Sequence, residues 1–503
     1  MNDEFVHLHT HTEHSRYDGF GSPAMFAQRA AEMGQSAIAF TEHGTINGFV
    51  AQAKACKKAG VKHIPGVEAY LCDDTSQRGL TAEEKAWIKA TWPEDWVAKT
   101  KEFTNARRER DHITLWAYNQ AGYRNLCKLT SYSWRDDGGY YFKPRMDMKL
   151  LAQYSEGIMA STGCPGGVIP SQIAKGDLAE ARRRMETLAA IYGDKFLVEI
   201  MPHKLARAPQ IQATLLDLAR EYGLRPIATQ DAHYPYQRDA HSHEVFLCVQ
   251  TQGQMQDPDK VQFDSFEYYL KSRAEMSEAF DVFCPEIDRA TVRTILDNTL
   301  HVADQVTAQV VFAGPGAHLA APTLPPGVPD YDAWVKKLIV EGVRWRHQCG
   351  IGDLAQNYRD RIRMEFDRIS HSGFSAYFIL VWDIKREARA RGIFAGPGRG
   401  SGGGSSIAYY LGITDLDPLE YDLSFDRFLA PGRVDLPDFD LDFASSRRDE
   451  LFGYLQERYG HDHVASISTN SRMQGKMTLQ RVGRAYGVPA AETAGASALI
   501  VDA

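Results

Sequence analysis

The sequence predicts an α/β protein: a barrel-like amino-terminal part, then a second part with its own core. Three observations carry that expectation. Through residues 1–270, short apolar strands alternate with helical stretches, the order that builds a barrel or a doubly wound sheet. Metal-binding residue types fall mostly at or just after the ends of those strands, where α/β folds place their sites. Later, a glycine-rich loop, GPGRGSGGGSS at Gly396–Ser406, runs toward a stretch of alternating acids, PDFDLDF at Pro437–Phe443.

Strands are expected at Phe5–Leu8, Ser36–Phe40, Ile113–Ala117, Gly157–Ala160, Phe196–Ile200 and Pro226–Thr229, and helices at Ala24–Met33 and Leu178–Tyr192. Residues 73–110, charged and rich in tryptophan, interrupt the pattern as a surface insertion whose tryptophans are expected to pack on the barrel. Asp257–Met276 carries the chain out of the barrel. Residues 313–332, rich in proline and glycine and without periodicity, read as a linker. Tyr331–Gly350 and Asn357–Ser370 read as amphipathic helices, and no internal repeat is present.

A chain of 503 residues is too long for one ordinary core and suggests about three domains. Its 44% hydrophobic and 24% charged residues are those of a globular protein. There is no apolar run of about 18 residues, and the acidic opening lacks the basic and apolar regions of a signal peptide. Seven scattered cysteines argue against a disulfide framework, so a cytoplasmic location is expected. The net charge of −8 does not advertise nucleic-acid binding, but local clusters do. Lys385, Arg386, Arg389, Arg391 and Arg399 crowd the approach to the glycine loop. Arg472, Lys476, Arg481 and Arg484 form a second group spaced for one side of a helix.

In an extended segment alternate side chains share a face, so Asp438, Asp440 and Asp442 point one way and Phe439, Leu441 and Phe443 the other. Carboxylates so placed suit Mg²⁺, which binds through one or two acids and substrate phosphates. The glycines allow backbone N–H groups to approach phosphate, with Ser401 adding a hydroxyl and Arg399 a fixed charge. Together the loop and the acids read as nucleotidyl transfer. A second site is announced by His7, His9, His11 and His14: after apolar Phe5-Val6, the His9-x-His11 pair lies on one face, as a metal site requires.

Two stretches carry a family resemblance. GFSAYFILVWDIKREARARGIFAGPGRGSGGGS (Gly373–Ser405) and the run through PDFDLDF closely resemble the alpha subunits of bacterial DNA polymerase III, the C-family replicative polymerases. The resemblance implies a polymerase-beta-like palm over 286–469 and the start of a helical thumb over 470–503, where STNSRMQGKM departs from the family's usual phenylalanine-glycine-threonine wording. It further implies Asp438 and Asp440 as ligands of catalytic Mg²⁺, and Arg399, Gly400 and Ser401 at the triphosphate. Lys385, Arg386, Arg389, Arg472 and Lys476 would meet DNA.

His9-Thr-His-Thr-Glu-His-Ser-Arg-Tyr-Asp18-Gly19 resembles the first motif of the polymerase and histidinol phosphatase (PHP) domain, a distorted β/α barrel, here expected over 1–285. Residue by residue, the resemblance implies a ligand set of His9, His11, Asp18, His43, Glu68, His112, Cys164, Asp231 and His233; Glu42 stands where the family usually has Asp. Such ligands suit Zn²⁺, Mn²⁺ or Fe²⁺, and the implied reaction is 3′→5′ removal of nucleotides. Implied partners are primer–template DNA, dNTPs, a sliding clamp and other replisome subunits. In the family a third catalytic Asp follows the thumb, beyond the last residue of this sequence, so the palm is expected to be incomplete and primer extension slow. The alternatives are a metal-dependent phosphoesterase whose palm only holds DNA, a non-catalytic scaffold, or an error-prone paralogue.

Overall fold

The computed structural model describes residues 4–204, 208–310, 320–433, 436–467, 469 and 471–500. Part of the expected linker, 313–319, lies outside them. Two compact units result, Met1–Val311 with Asn470–Ala503, and Phe312–Thr469. Among the described residues no helix is long and apolar enough to cross a membrane.

Seven strands, all in the first unit, form its sheet: β1 (Ala37–Phe40), β2 (Lys62–Leu71), β3 (Asp111–Ala117), β4 (Arg145–Met146), β5 (Ile158–Ser161), β6 (Phe196–Ile200) and β7 (Arg225–Ala228). The order is β1-β2-β3-β5-β6-β7, with β4 added to β2. β3 runs antiparallel to β2 and β5, and the other pairs are parallel. β1, β5 and β6 are buried along their whole length, as continuous apolar runs covered on both faces should be.

The expected first strand at Phe5–Leu8 is instead a set of single bridges. His7 pairs with Ile38 beside β1, and Thr10 pairs with Ala232 just past β7. The amino-terminal segment thus stitches together the two edges of the sheet, curling it toward a barrel. β2 has no counterpart among the expected strands, because Pro65 and Gly66 break its pattern.

Helix ends follow local chemistry. Ser22 caps Pro23–Glu32 by accepting from the Met25 N–H, and Asp177 caps Leu178–Tyr192 by accepting from Glu180. The latter helix buries Ala181, Met185, Leu188 and Tyr192, one apolar stripe. The 73–110 insertion corrects its reading: it is a helical hairpin, Ala82–Thr91 and Trp96–Ala106, whose Trp87, Trp92 and Phe103 pack mainly on one another at 5.3–6.1 Å between ring centroids. Trp87 remains 55% exposed.

Arg289–Gln305 buries Val292, Ile295, Leu296 and Val302 in the barrel's own core, so that unit extends past residue 285. Helices Gly475–Ala485 and Ala490–Ala498 also belong to it, with Ala485 packed on Cys248 and Val249. The second unit is helical. Tyr331–His347, Gln356–His371 and Ser375–Ala390 enclose a core containing Trp334, Val343, Ile369, Phe378 and Phe428. Among its described residues there is no regular strand. The expected strand at 437–443 is extended chain with two isolated bridges, Arg399↔Asp440 and Ala395↔Phe443, because its neighbour is the glycine loop rather than a second strand.

His63 on β2 lies between Phe40 and Phe49, 5.8 and 5.9 Å from their ring centroids, and burial lowers its pKa to about 3. Its unfolded value is near 6.5, so the unfolded chain binds the extra proton as pH falls between the two. Stability from the neutral ring is therefore present above pH 6.5 and lost toward pH 3. The expected result is that His63→Phe removes roughly 3 kcal/mol of the stability loss between pH 7 and pH 4, read from urea unfolding of both proteins at each pH.

Candidate metal centre and phosphate loop

The nine ligand-type residues arrive from separate elements and converge. His9 and His11 lie on the stitching segment and Asp18 in the turns just after it, His43 follows β1, Glu68 is on β2, His112 on β3, Cys164 follows β5, and Asp231 and His233 follow β7. Nε2 of His11 is 3.1 Å from Asp231 Oδ1, and Nε2 of His9 lies 3.4 Å from Glu68 and 3.5 Å from Asp231. His43 Nδ1 is 2.6 Å from Glu68 Oε2, and its Nε2 is 3.1 Å from Asp18. His112 Nδ1 lies 2.9 Å from Glu68 and 3.2 Å from Cys164 Sγ. His11 stacks against His43 and His233 at 4.1 and 4.5 Å.

Three overlapping trios could each hold an ion: His11, His43 and His233; His9, His11 and Asp231; and His43, Glu68 and His112. The fit to metal is tested by what the buried atoms lack. Nε2 of His9 and His11, Nδ1 of His43, Oε2 of Glu68 and Oδ1 of Asp18 and Asp231 are buried and, although several face one another at ion-pair distance, make no well-directed hydrogen bond. Unpartnered polar atoms cost about 1–3 kcal/mol each in a fold that gives them nothing. Such crowding, five of the six atoms being on residues of those trios, fits cations.

Charge runs the same way. Burial opposes ionisation of Glu68, yet His112 and His43 hold its carboxyl well below the usual range; His233 and His9 do the same for buried Asp231. Burial, then Glu68 and Asp231, push the Cys164 thiol up, which a cation would reverse. Asp231 sits in the left-handed backbone region at φ 53°, an outlier of the kind that gathers at functional sites.

A second ring of residues, which sequence reasoning missed, orients the first. His9 Nδ1 donates to Glu199 at 2.8 Å, and Glu199 also accepts from the hydroxyls of Thr114 (2.7 Å), Thr229 (2.7 Å) and Ser161. His11 Nδ1 donates to Ser15 Oγ at 2.9 Å, and Ser15 donates on to Glu42 at 2.6 Å. Each relay puts the proton on Nδ1 and leaves Nε2 free to ligate. The available signal was a lone acid inside the apolar strand FLVEI.

In the second unit the three acids do alternate. Phe439 packs on Tyr377, Phe378 and Phe428 at 4.7–5.8 Å, while Asp438 and Asp442 are exposed. Arg399 reaches back to pair with Asp440 (3.4 Å) and Asp442 (3.1 Å). Gly400 holds φ at +71°, where any other residue is strained, and a Cβ there would push on Asp440 Oδ2 at 2.7 Å. Ser401 is exposed on a short 3₁₀ turn, Gly400–Gly404. Buried Glu365 accepts from Ser405 Oγ (2.9 Å) and the amides of Ser406 (2.9 Å) and Ile407 (3.1 Å), so those N–H groups are taken. Among the described residues no three-ligand group forms here. Exposed Asp438 and half-buried Asp440 would suit a cation shared with substrate phosphates rather than a protein cage.

Among the basic residues one is a correction. Lys385 is 1% exposed and donates to the Gly396 carbonyl at 2.7 Å, which makes it a strut beneath the loop rather than a contact for DNA. Arg386 pairs with Asp383, and Arg389 with Asp415 while donating to the Gly412 carbonyl. Arg472 meets Glu13 at 3.2 Å, and Lys476 lies on the Gly475–Ala485 helix. Of the charge run on Ser375–Ala390, Lys385 is thus spent inside its own unit, while Arg386 and Arg389 keep part of their side chains exposed.

Residues 7–203 match the model of the PHP domain, and residues 333–503 that of the bacterial DNA polymerase III alpha NTPase domain. The chain is 36% identical over 96% of its length to the DNA polymerase III subunit alpha of Mycobacterium tuberculosis, and 33% identical over 97% to that of Borreliella burgdorferi. This chain belongs to the bacterial DNA polymerase III alpha family. It spans 39% of the length of each of those relatives. A solved amidohydrolase from Chromobacterium violaceum is 15% identical, covers 45% of this chain and 87% of its own, and has a TM-score of 0.29, too little to carry a conclusion.

Proposed function

We propose that this chain is the part of a replicative DNA polymerase alpha subunit that joins a metal-dependent phosphodiesterase to a nucleotidyl-transfer palm. The observation that supports it most is the crowding, in the PHP unit, of buried ligand atoms that make no well-directed hydrogen bond, most of them on residues of three overlapping metal-sized trios. Divalent ions such as Zn²⁺, Mn²⁺ or Fe²⁺, when bound, supply Lewis acidity and an acidified water for phosphodiester hydrolysis. The protein's own part is to hold the nine ligands, His9, His11, Asp18, His43, Glu68, His112, Cys164, Asp231 and His233. Glu199 and the Ser15–Glu42 pair fix two imidazole tautomers, and buried walls exclude bulk water. Polarity of 3′→5′ belongs to the proposal, as do a DNA substrate, replisome partners including a sliding clamp, and a cytoplasmic setting.

In the second unit Asp438 and Asp440 would hold Mg²⁺ with an incoming dNTP, while Arg399, Gly400 and Ser401 contact its triphosphate. Arg399 already touches the acid row, and displacement by a triphosphate would free Asp440.

The test uses a 5′-labelled primer with a mismatched 3′ end, with Mg²⁺, Mn²⁺ or Zn²⁺. Primer shortening is expected, falling about 10²-fold or more in His9→Ala/His11→Ala and unchanged in Asp438→Asn/Asp440→Asn. No shortening with any metal overturns the hydrolytic reading.

A further inference from the structure

Beside the metal ligands the first unit carries an aromatic and basic platform with no assigned role. Tyr70, on β2, lies 5.2 Å from the ring of His112 and 6.2 Å from that of His43. Lys143 donates to Tyr70 Oη at 3.2 Å and sits over Tyr17 at 4.6 Å and Tyr70 at 5.1 Å. Arg110 approaches the same Tyr70 ring at 5.8 Å, and Arg108 covers Phe142 at 4.2 Å. Among the described residues, Lys143, Arg108 and Arg110 have no acid partner. Tyr17 and Phe142 are 59% and 56% exposed, and Phe142 holds φ at +62°, where a bulky residue rarely sits.

The platform is built rather than draped. Tyr70 pairs in register with Arg145 on β4. Buried Arg145 donates to the carbonyls of Gly139, Gln77 and Thr75 at 2.9–3.0 Å, fixing the segment that carries Phe142 and Lys143. At Gly44, next to the ligand His43, φ is +61° and a Cβ would lie 2.6 Å from Pro144 Cγ, so this segment seats directly against a ligand loop. Tyr17 is joined to ligand Asp18 by one peptide bond.

Exposed aromatic faces beside unpaired cations are the chemistry of single-stranded nucleic acid binding: bases stack on rings of any sequence, and phosphates take the charges. We propose that Tyr17, Phe142, Lys143 and Arg110 form a subsite for the single-stranded end of a nucleic acid, presenting its terminal phosphodiester to the metal ligands. Tyr17 and Phe142 stack bases, Lys143 and Arg110 take backbone phosphates, and Tyr70 spaces them from His43 and His112. The inference rests on the hydrolytic reading above and names how its substrate is held.

The experiment uses the full chain with EDTA and an oligodeoxythymidine of about 12 nucleotides carrying 5-iododeoxyuridine at its 3′ end. After near-ultraviolet irradiation, cross-links are expected on Tyr17 or Phe142. Tyr17→Ala and Phe142→Ala should each weaken binding roughly 5- to 150-fold. Lys143→Met should lower the slope of log affinity against log salt by about 0.7. Cross-links confined to other peptides, or affinity and salt slope equal to the parent's, overturn the proposal; so does a preference for duplex or for free nucleotide. His9→Ala/His11→Ala should still cross-link at the platform, so failure of hydrolysis and failure of the subsite are read separately.

Discussion

Glu199→Ala is expected to lower metal affinity by about 10- to 100-fold and to destabilise the first unit by on the order of 3–5 kcal/mol. The carboxylate is 1% exposed and accepts from His9 Nδ1 and three hydroxyls, those of Thr114, Ser161 and Thr229. Removing it leaves four buried donors without an acceptor, each worth about 1–3 kcal/mol, and frees His9 to turn or change tautomer. Glu199→Gln separates the two effects. An amide keeps one oxygen for the hydroxyls, so most of the fold should survive while His9 loses its charged anchor. Competition against a chelator measures the first quantity and urea unfolding the second. Unchanged metal affinity in both variants would show that the imidazole needs no such support.

The second large effect is expected at Glu365. Buried and paired with Arg361 at 2.6 Å, it closes the exit of the glycine loop by accepting from Ser405, Ser406 and Ile407. Arg361 in turn donates to the carbonyls of Gly404 and Leu423 at 2.7 and 2.9 Å. Burial raises the Glu365 pKa, while the amides of Ser406 and Ile407 and the Arg361 guanidinium work to keep it ionised. Glu365→Ala should cost about 3–5 kcal/mol, because it strands a charge and two amides. Amide exchange at Ser406 and Ile407 should quicken on the order of 10²-fold, with β6 of the other unit unaffected. Uniform quickening in both units would instead mean general unfolding.

How far the chain could be read from its letters differs by feature, for physical reasons. Leu178–Tyr192 was legible at both ends because an Asp cap, a regular apolar stripe and a following Gly agree. The nine ligand-type residues were legible through their motifs' resemblance to the PHP family, and most of them also close or follow an apolar run, whose ends a shared sheet brings together. Phe5–Leu8 looks like any other strand, yet it only bridges two edges, and nothing local distinguishes a seam from a strand. Lys385 was misread for a related reason: a charge is visible in a sequence, but its burial and its partner, the Gly396 carbonyl, are not. Glu199 hid because its three hydroxyl partners are scattered over β3, β5 and the end of β7.

The seam has a consequence in time. His9 meets Glu199 across 190 residues of chain, and the segment carrying it bonds to Ala232 only once everything between has been laid down. Contacts so distant in sequence form late and slowly, since the intervening loop must be closed before they return any energy. A chain still emerging from the ribosome is therefore expected to carry scattered imidazoles, with the metal centre among the last parts of the first unit to form.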